Sequence, residues 1–265
     1  MTNSTASTDR AGRGWALVTG AARRIGAALA LATAKAGYDV LVHYGSSESP
    51  AEDTADRIRA LGRRAETAQA DLTNAEACRA LVERAPGPIT LLVNCASVFE
   101  PDQAQGFDAD RFDRAMAVNL RAPLILAQAM SAALPQDGAG LIVNIADQRV
   151  WRLTPNFFSY TLSKAALWIA TQTLAQALAP RIRVNAIGPG PTLASVHQSA
   201  ETFAAQGRAV PLGRGATPEE IAAALAYLID ATSVTGQMIA VDGGQHLSWR
   251  TPDALNEVSD EGADD

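Results

Sequence analysis

The chain has 265 residues, 48% of them hydrophobic, enough to bury the core of one full-sized α/β domain. Its net charge of −6 argues against a nucleic acid or an anionic membrane surface as partner. Cys78 and Cys95 have neither metal-ligand nor CxxC spacing, so neither a metal site nor a disulfide is expected.

Residues 1–13 are rich in Ser and Thr, lack the apolar core of a signal peptide, and are expected to form a flexible N-terminus. Residues 14–250 are expected to form one domain. Residues 251–265 carry Asp253, Glu257, Asp260, Glu261, Asp264 and Asp265 without a base, and read as a solvated, flexible tail. No apolar run is long enough to span a bilayer, so a cytoplasmic enzyme is expected.

Within the domain, seven short, mostly continuous apolar runs read as strands: Trp15–Thr19, Val40–Tyr44, Ala65–Ala70, Leu91–Asn94, Leu141–Ile145, Ile182–Ala186 and Met238–Val241. Helical periodicity marks Ile25–Ala36, Ala51–Leu61, Ala75–Arg84, Ala109–Leu134, Tyr160–Leu178 and Pro218–Ile229. Thr217, Pro218 and Glu220 form a start signal for the last, with a capping box. This alternation predicts a single doubly wound, Rossmann-type α/β domain, with a seven-stranded parallel sheet flanked by helices. Ligands of such sheets sit at the carboxyl ends of the strands.

The first strand runs into Thr19-Gly20-Ala21-Ala22-Arg23-Arg24-Ile25-Gly26 and then a helix. Gly20 permits a tight turn, Gly26 permits close helix–strand packing, and the helix N-terminus offers N–H groups to a pyrophosphate. NAD sites usually carry an acid at the end of the second strand, but this chain has His43-Tyr44-Gly45-Ser46-Ser47 there, and Asp39 lies at the opposite end. Donors at that place, with Arg23, suit a 2′-phosphate and predict NADPH as cofactor. His43 reads equally well as a satisfied strand-end histidine.

Tyr160 and Lys164 are four residues apart and share one helix face, with Asp147 thirteen residues before Tyr160. A cation beside a phenol favours the phenolate and brings Tyr160 towards the range for proton transfer near neutrality. Asp147 could instead pair with Arg149 or Arg152 outside any site, and Arg24 could be a solvated turn residue.

These residues resemble the short-chain dehydrogenase/reductase family across nearly the whole chain. The matching pieces are the Thr19–Gly26 turn, Asp71-Leu72, Asn94-Cys95-Ala96, Asn119, Tyr160 with Lys164, Arg183-Val184-Asn185, Pro189-Gly190 and Val241-Asp242-Gly243-Gly244. The resemblance implies cofactor contacts from Gly20, Arg23, Arg24, Ile25, His43, Tyr44, Ser46, Asp71, Leu72, Asn94, Ala96, Ser97, Tyr160, Lys164, Pro189 and Gly190. It implies Asp147, Tyr160, Lys164 and Asn119 as catalytic residues and a homotetramer packed through the Ala109–Leu134 and Tyr160–Leu178 helices. Cys95 departs from the family's usual second asparagine. Three further departures, Arg24 for a turn glycine, Ser97 for a glycine and Asp147 for the catalytic serine, are similar to the pteridine reductase branch. The Asp242–Leu247 ending is similar to that branch's bacterial dihydromonapterin reductases.

That likeness implies a pterin or folate substrate held by Arg24, Ser97, Phe99, Asp147 and Tyr160, with Phe99 stacked on the ring. Without it, Phe99 reads as core packing. Asp147 cannot donate to a carbonyl oxygen when ionised, but it can accept from the amino and N–H groups of a pterin. The expected reaction is hydride transfer from NADPH to a dihydropterin C=N bond. Tyr160 protonates the nitrogen, Lys164 lowers the Tyr160 pKa, and Asn119 holds a water relay. Residues 191–215 are expected to form a substrate lid. The alternatives are a carbonyl reductase acting on ketones or 3-oxoacyl groups, and a non-catalytic NADPH-binding regulator.

Overall fold

The computed structural model describes residues 12–195 and 198–249. The expected acidic tail and most of the N-terminal segment lie outside those residues. Arg13, assigned by sequence to a flexible end, is instead tied down: its guanidinium meets Asp230 at 2.9 Å and its N–H donates to the Gly37 carbonyl.

Seven parallel strands form one sheet in the order β3-β2-β1-β4-β5-β6-β7. They are β1 (Trp15–Val18), β2 (Asp39–Tyr44), β3 (Ala65–Gln69), β4 (Ile89–Asn94), β5 (Gly140–Ile145), β6 (Ile182–Pro189) and β7 (Met238–Val241). Side chains alternate between the two faces. Ala16 and Val18 of β1 join the core beneath α1 (Arg24–Lys35), α2 (Glu48–Ala60) and α8 (Pro218–Asp230). Trp15 and Leu17 join the opposite core with α3 (Ala75–Glu83), α5 (Ala122–Ala133) and α6 (Phe158–Leu178). Covering on both faces explains why the strands read as continuous apolar runs. The chain reverses its direction of winding between β1 and β4, and the cleft opens there.

The start of α8 has the predicted form, with Thr217 and Glu220 exchanging side-chain and backbone hydrogen bonds and Pro218 in the first turn. Two elements differ from expectation. The long helix predicted over 109–134 is α4 (Ala109–Met116), a wider π-turn over Ala117–Arg121, and α5. The widening lies where Pro123, lacking an N–H, cannot bond the carbonyl of Asn119 four residues back. The second is α7 (Ala200–Arg208), a helix not anticipated inside the stretch expected to form the substrate lid. Ser199 caps it by accepting from the Thr202 N–H, but none of its residues is buried, so no apolar stripe announced it. No helix among the described residues is long and apolar enough to cross a membrane.

Candidate active site

A cleft of about 820 Å³ runs along the carboxyl ends of the strands. At its floor the turn after β1 is built around two glycines. Gly20 has φ +64°, and a Cβ there would stand 2.9 Å from the Ala96 Cα; one on Gly26 would stand 2.1 Å from the Gly20 carbonyl oxygen. The turn therefore lies close against both α1 and the β4 loop, with the α1 N-terminus facing the cleft. Thr19 Oγ1 accepts from the Cys95 and Ala96 N–H groups and locks the two loops together. This backbone cradle fits a pyrophosphate.

Farther along, Tyr44, Gly45, Ser46 and Ser47 line the cleft beside Arg23 and Gln69, with no acid among them. Asp39 is at the other end of β2, held by Arg63 at 2.9 Å and Arg64 at 2.7 Å. The arrangement fits a 2′-phosphate better than a free ribose hydroxyl pair. Asp71 lines the same end, its carboxylate accepting from Thr73, and Arg114 stands nearby. Gln69 and Arg114 carry no motif and were not anticipated from sequence.

His43 differs from one of its two readings. Its Nδ1 accepts from the Gly20 N–H at 3.0 Å and its Nε2 reaches the Ala70 carbonyl at 3.2 Å. Burial pulls its pKa down to about 4, so it stays neutral, with both nitrogens engaged. It buttresses the phosphate turn and has no N–H left over for a 2′-phosphate.

Arg24 sits at the turn with φ +55°, a backbone conformation that favours glycine. Its guanidinium donates to the Leu193 and Ala194 carbonyls at 3.1 and 2.9 Å, which ties the phosphate turn to the segment after β6. Pro189 and Gly190 lead into that segment, and a Cβ on Gly190 would meet the Asp242 Cα at 2.6 Å.

At the cleft's other end Asp147, Tyr160, Lys164 and Phe99 converge. Tyr160 Oη donates to Asp147 Oδ2 at 2.7 Å, while Asp147 Oδ1 accepts from the Arg149 N–H at 2.8 Å. Asp147 is thus in the site, and its ion-pair distance to the Arg149 side chain is a loose 4.0 Å. Burial raises the Asp147 pKa against the pull of those hydrogen bonds. Lys164, 2% exposed, donates from Nζ to the Ile145 carbonyl at 2.6 Å, and burial pulls its pKa down to about 8.

The expectation that Lys164 depresses the Tyr160 pKa is corrected here. Burial pushes the phenol well above its ordinary value, and the neighbouring Asp147 carboxylate pushes it further. Lys164 donates to the Ile145 carbonyl and stands 5.8 Å from the phenol ring centre. Tyr160 is accordingly a protonated donor in this site.

Two more residues are placed differently from expectation. Asn119 is fully buried in the π-turn; its amide donates to the Val98 carbonyl and Ser163 Oγ, while its oxygen accepts from the Val98 N–H and Ser97 Oγ. Its side chain is fully used in fixing the β4 loop, which leaves only its backbone carbonyl to hold a water relay. Asn94 points away from the cleft and donates to Asn144 Oδ1 at 2.8 Å, Asn144 in turn donating to Thr171. It ties β4 to β5 and α6. The remaining expected residues, including Ile25, Leu72, Ala96 and Ser97, line the cleft. His197, a histidine within the expected lid, lies outside the described residues.

A family profile described as Enoyl-(Acyl carrier protein) reductase matches residues 20–246. The chain is 37% identical over 240 residues to an uncharacterized oxidoreductase of Methylorubrum extorquens, spanning 86% of this chain and 96% of that one. It is similar to the crystal structure of FolM Alternative dihydrofolate reductase 1 from Brucella canis, complexed with NADP. That likeness has a TM-score of 0.87 and 52% identity, covering 90% of this chain and 96% of the other. It is also similar to the angucycline C-6 ketoreductase LanV with bound NADP, with a TM-score of 0.82 and 32% identity over 89% and 97% of the two chains. With a parallel seven-stranded sheet, a glycine cradle after β1 and the Tyr160/Lys164 pair in one cleft, the chain belongs to the short-chain dehydrogenase/reductase family.

Proposed function

We propose that this oxidoreductase uses NADPH to reduce the C=N bond of a dihydropterin, of the dihydromonapterin, dihydrobiopterin or dihydrofolate type. The observation that carries the reading is the 2.7 Å hydrogen bond from Tyr160 to Asp147 inside the cofactor cleft. A carboxylate beside the proton donor repels a developing alkoxide, yet it accepts well from an amino-bearing ring. The likeness to an alternative dihydrofolate reductase supports the same substrate class.

NADPH supplies the hydride when bound. N–H groups at the α1 end of the turn, beyond the Gly20 and Ala21 N–H groups that His43 engages, would hold its pyrophosphate, and Arg23, Tyr44 and Ser46 would hold its 2′-phosphate. Asp147 accepts from the pterin's amino and N–H groups and orients the ring. Phe99 covers one ring face. Tyr160 delivers the proton to the ring nitrogen, and the nearby Lys164 ammonium offsets the negative charge left behind. Asn119 acts by fixing Ser97 and Val98. Positioned acid–base groups of this kind contribute about 10²–10⁴ in rate.

The test is NADPH oxidation with dihydropterins and dihydrofolate beside a panel of ketones, for the wild type and Asp147→Ser. Pterin turnover that collapses in the variant supports the reading. Ketone turnover alone, or ketone turnover improved by serine, overturns it in favour of a carbonyl reductase, the reading to which the likeness to LanV lends support.

A further inference from the structure

Phe99 sits in an irregular loop, and no regular backbone hydrogen bonding fixes the plane of its ring. A residue that motif reading did not single out does so. Phe157 stacks on Phe99 with ring centres 4.2 Å apart and planes 8° from parallel, while Tyr160 meets Phe99 edge-on at 4.7 Å. Phe99 lines the cleft and Phe157 does not, so Phe157 supports Phe99 from outside the space a ligand fills.

Phe157 is itself held at several points. Its backbone adopts φ +58°, the left-handed region that side-chain-bearing residues avoid. Its N–H donates to the Asp102 carbonyl at 2.9 Å, and the Asp102 carboxylate accepts from Ser159 at the start of α6. The Arg149 guanidinium lies 5.1 Å from the Phe157 ring centre, itself anchored on Thr154 Oγ1 at 2.9 Å. A left-handed aromatic residue survives there because its neighbours over-determine it, as strained positions near functional sites generally are.

We propose that Phe157 is a positioning residue for substrate, a rigid plate that sets the plane of Phe99 and so selects flat, ring-shaped substrates over flexible ones. This deepens the pterin reading and rests on it. The stack, Tyr160 and Asp147 then form one unit. Phe157 fixes Phe99, Phe99 packs against Tyr160, and Arg149 links the Phe157 ring to the turn carrying Asp147.

The discriminating variants are Phe157→Gly, which relieves the left-handed backbone while deleting the ring, and Phe157→Tyr, which keeps the stack. Binding is read by quenching of an oxidised pterin's fluorescence in the NADP⁺ complex, turnover by kcat and KM for dihydropterin, and folding by the melting temperature and NADP⁺ affinity. The inference expects Phe157→Gly to weaken pterin binding and raise KM by about 3- to 10-fold, the range of one aromatic pair. NADP⁺ affinity and saturated kcat should stay within about twofold, and Phe157→Tyr should behave as wild type. It is overturned if Phe157→Gly leaves pterin affinity unchanged, if NADP⁺ affinity falls in parallel, or if Phe157→Tyr is as impaired as Phe157→Gly. A wild type that neither binds nor reduces pterins refutes the parent reading instead.

Discussion

Acidification should destabilise the fold through one side chain at the phosphate turn. His43 is neutral in the folded chain because burial lowers its pKa from 6.5 to about 4, and its Nδ1 must be unprotonated to accept from Gly20. A group with a depressed folded pKa binds fewer protons folded than unfolded between those two values, so stability falls as pH drops from 6.5 towards 4. Going from about pH 7.5 to about pH 4.5, the two-state linkage relation gives a loss of roughly 2.5 kcal/mol from His43 alone. His43→Asn keeps a polar group near Gly20 and cannot titrate. Urea unfolding of both proteins at the two pH values isolates the contribution, since all other groups cancel in the difference. The wild type should lose roughly 2.5 kcal/mol more than the variant, whereas the NADP⁺ affinity of the folded protein, in which His43 stays neutral, should fall only as the pH reaches about 4. Equal losses would show that His43 is not buried and neutral, and would remove the account of the turn built on it.

Tyr160→Phe should lower kcat by about 10²–10⁴ while leaving NADPH affinity intact, measured by turnover and by fluorescence titration; parallel loss of both would point to misfolding. Lys164, with a pKa of about 8, loses its ammonium as pH rises through that value. kcat/KM for NADPH, which reports the free enzyme, should therefore fall above about pH 8, and Lys164→Arg should carry the fall to higher pH. A flat profile would show that the ammonium is not needed for cofactor capture. A homotetramer packed through α5 and α6 is expected; Ile169 of α6 is 60% exposed in the single chain. Sedimentation velocity should show a smaller species for Ile169→Glu than for the wild type, and a monomeric wild type would sink the expectation.

The strands were legible because burial on both faces writes itself as runs such as Trp15–Val18 and Leu91–Val93, and the α8 start because its cap is local. The glycine turn was legible for the same reason: Gly20 and Gly26 stand where a Cβ would collide. What sequence reading missed depends on distant partners. Nothing near His43 announces that Gly20 and Ala70 will engage both its nitrogens, and nothing near Asn119 announces Val98 and Ser163. Phe157 has no periodic context at all, because its role comes from a ring 58 residues earlier in the chain. The direction of the Tyr160 shift was misjudged because helical spacing shows that Lys164 is near but not that burial and the Asp147 carboxylate outweigh it.

That last point bears on the chemistry. A phenol lowered by a cation is poised to take a proton as readily as to give one, and would serve oxidation and reduction alike. Here burial and Asp147 act in the same direction and keep the proton on Tyr160. Giving it up creates a phenolate beside a carboxylate, which is costly unless Asp147 takes up a proton or turns its charge towards a bound donor. A pterin offers such a donor through its amino and N–H groups; a simple ketone offers none. The same carboxylate that makes Tyr160 a reluctant acid in the free site therefore becomes tolerable once a donor-bearing ring occupies it. Discrimination then arises in the proton-transfer step as well as in binding. This is why Asp147→Ser should change substrate preference, whereas Tyr160→Phe should lower turnover on every substrate.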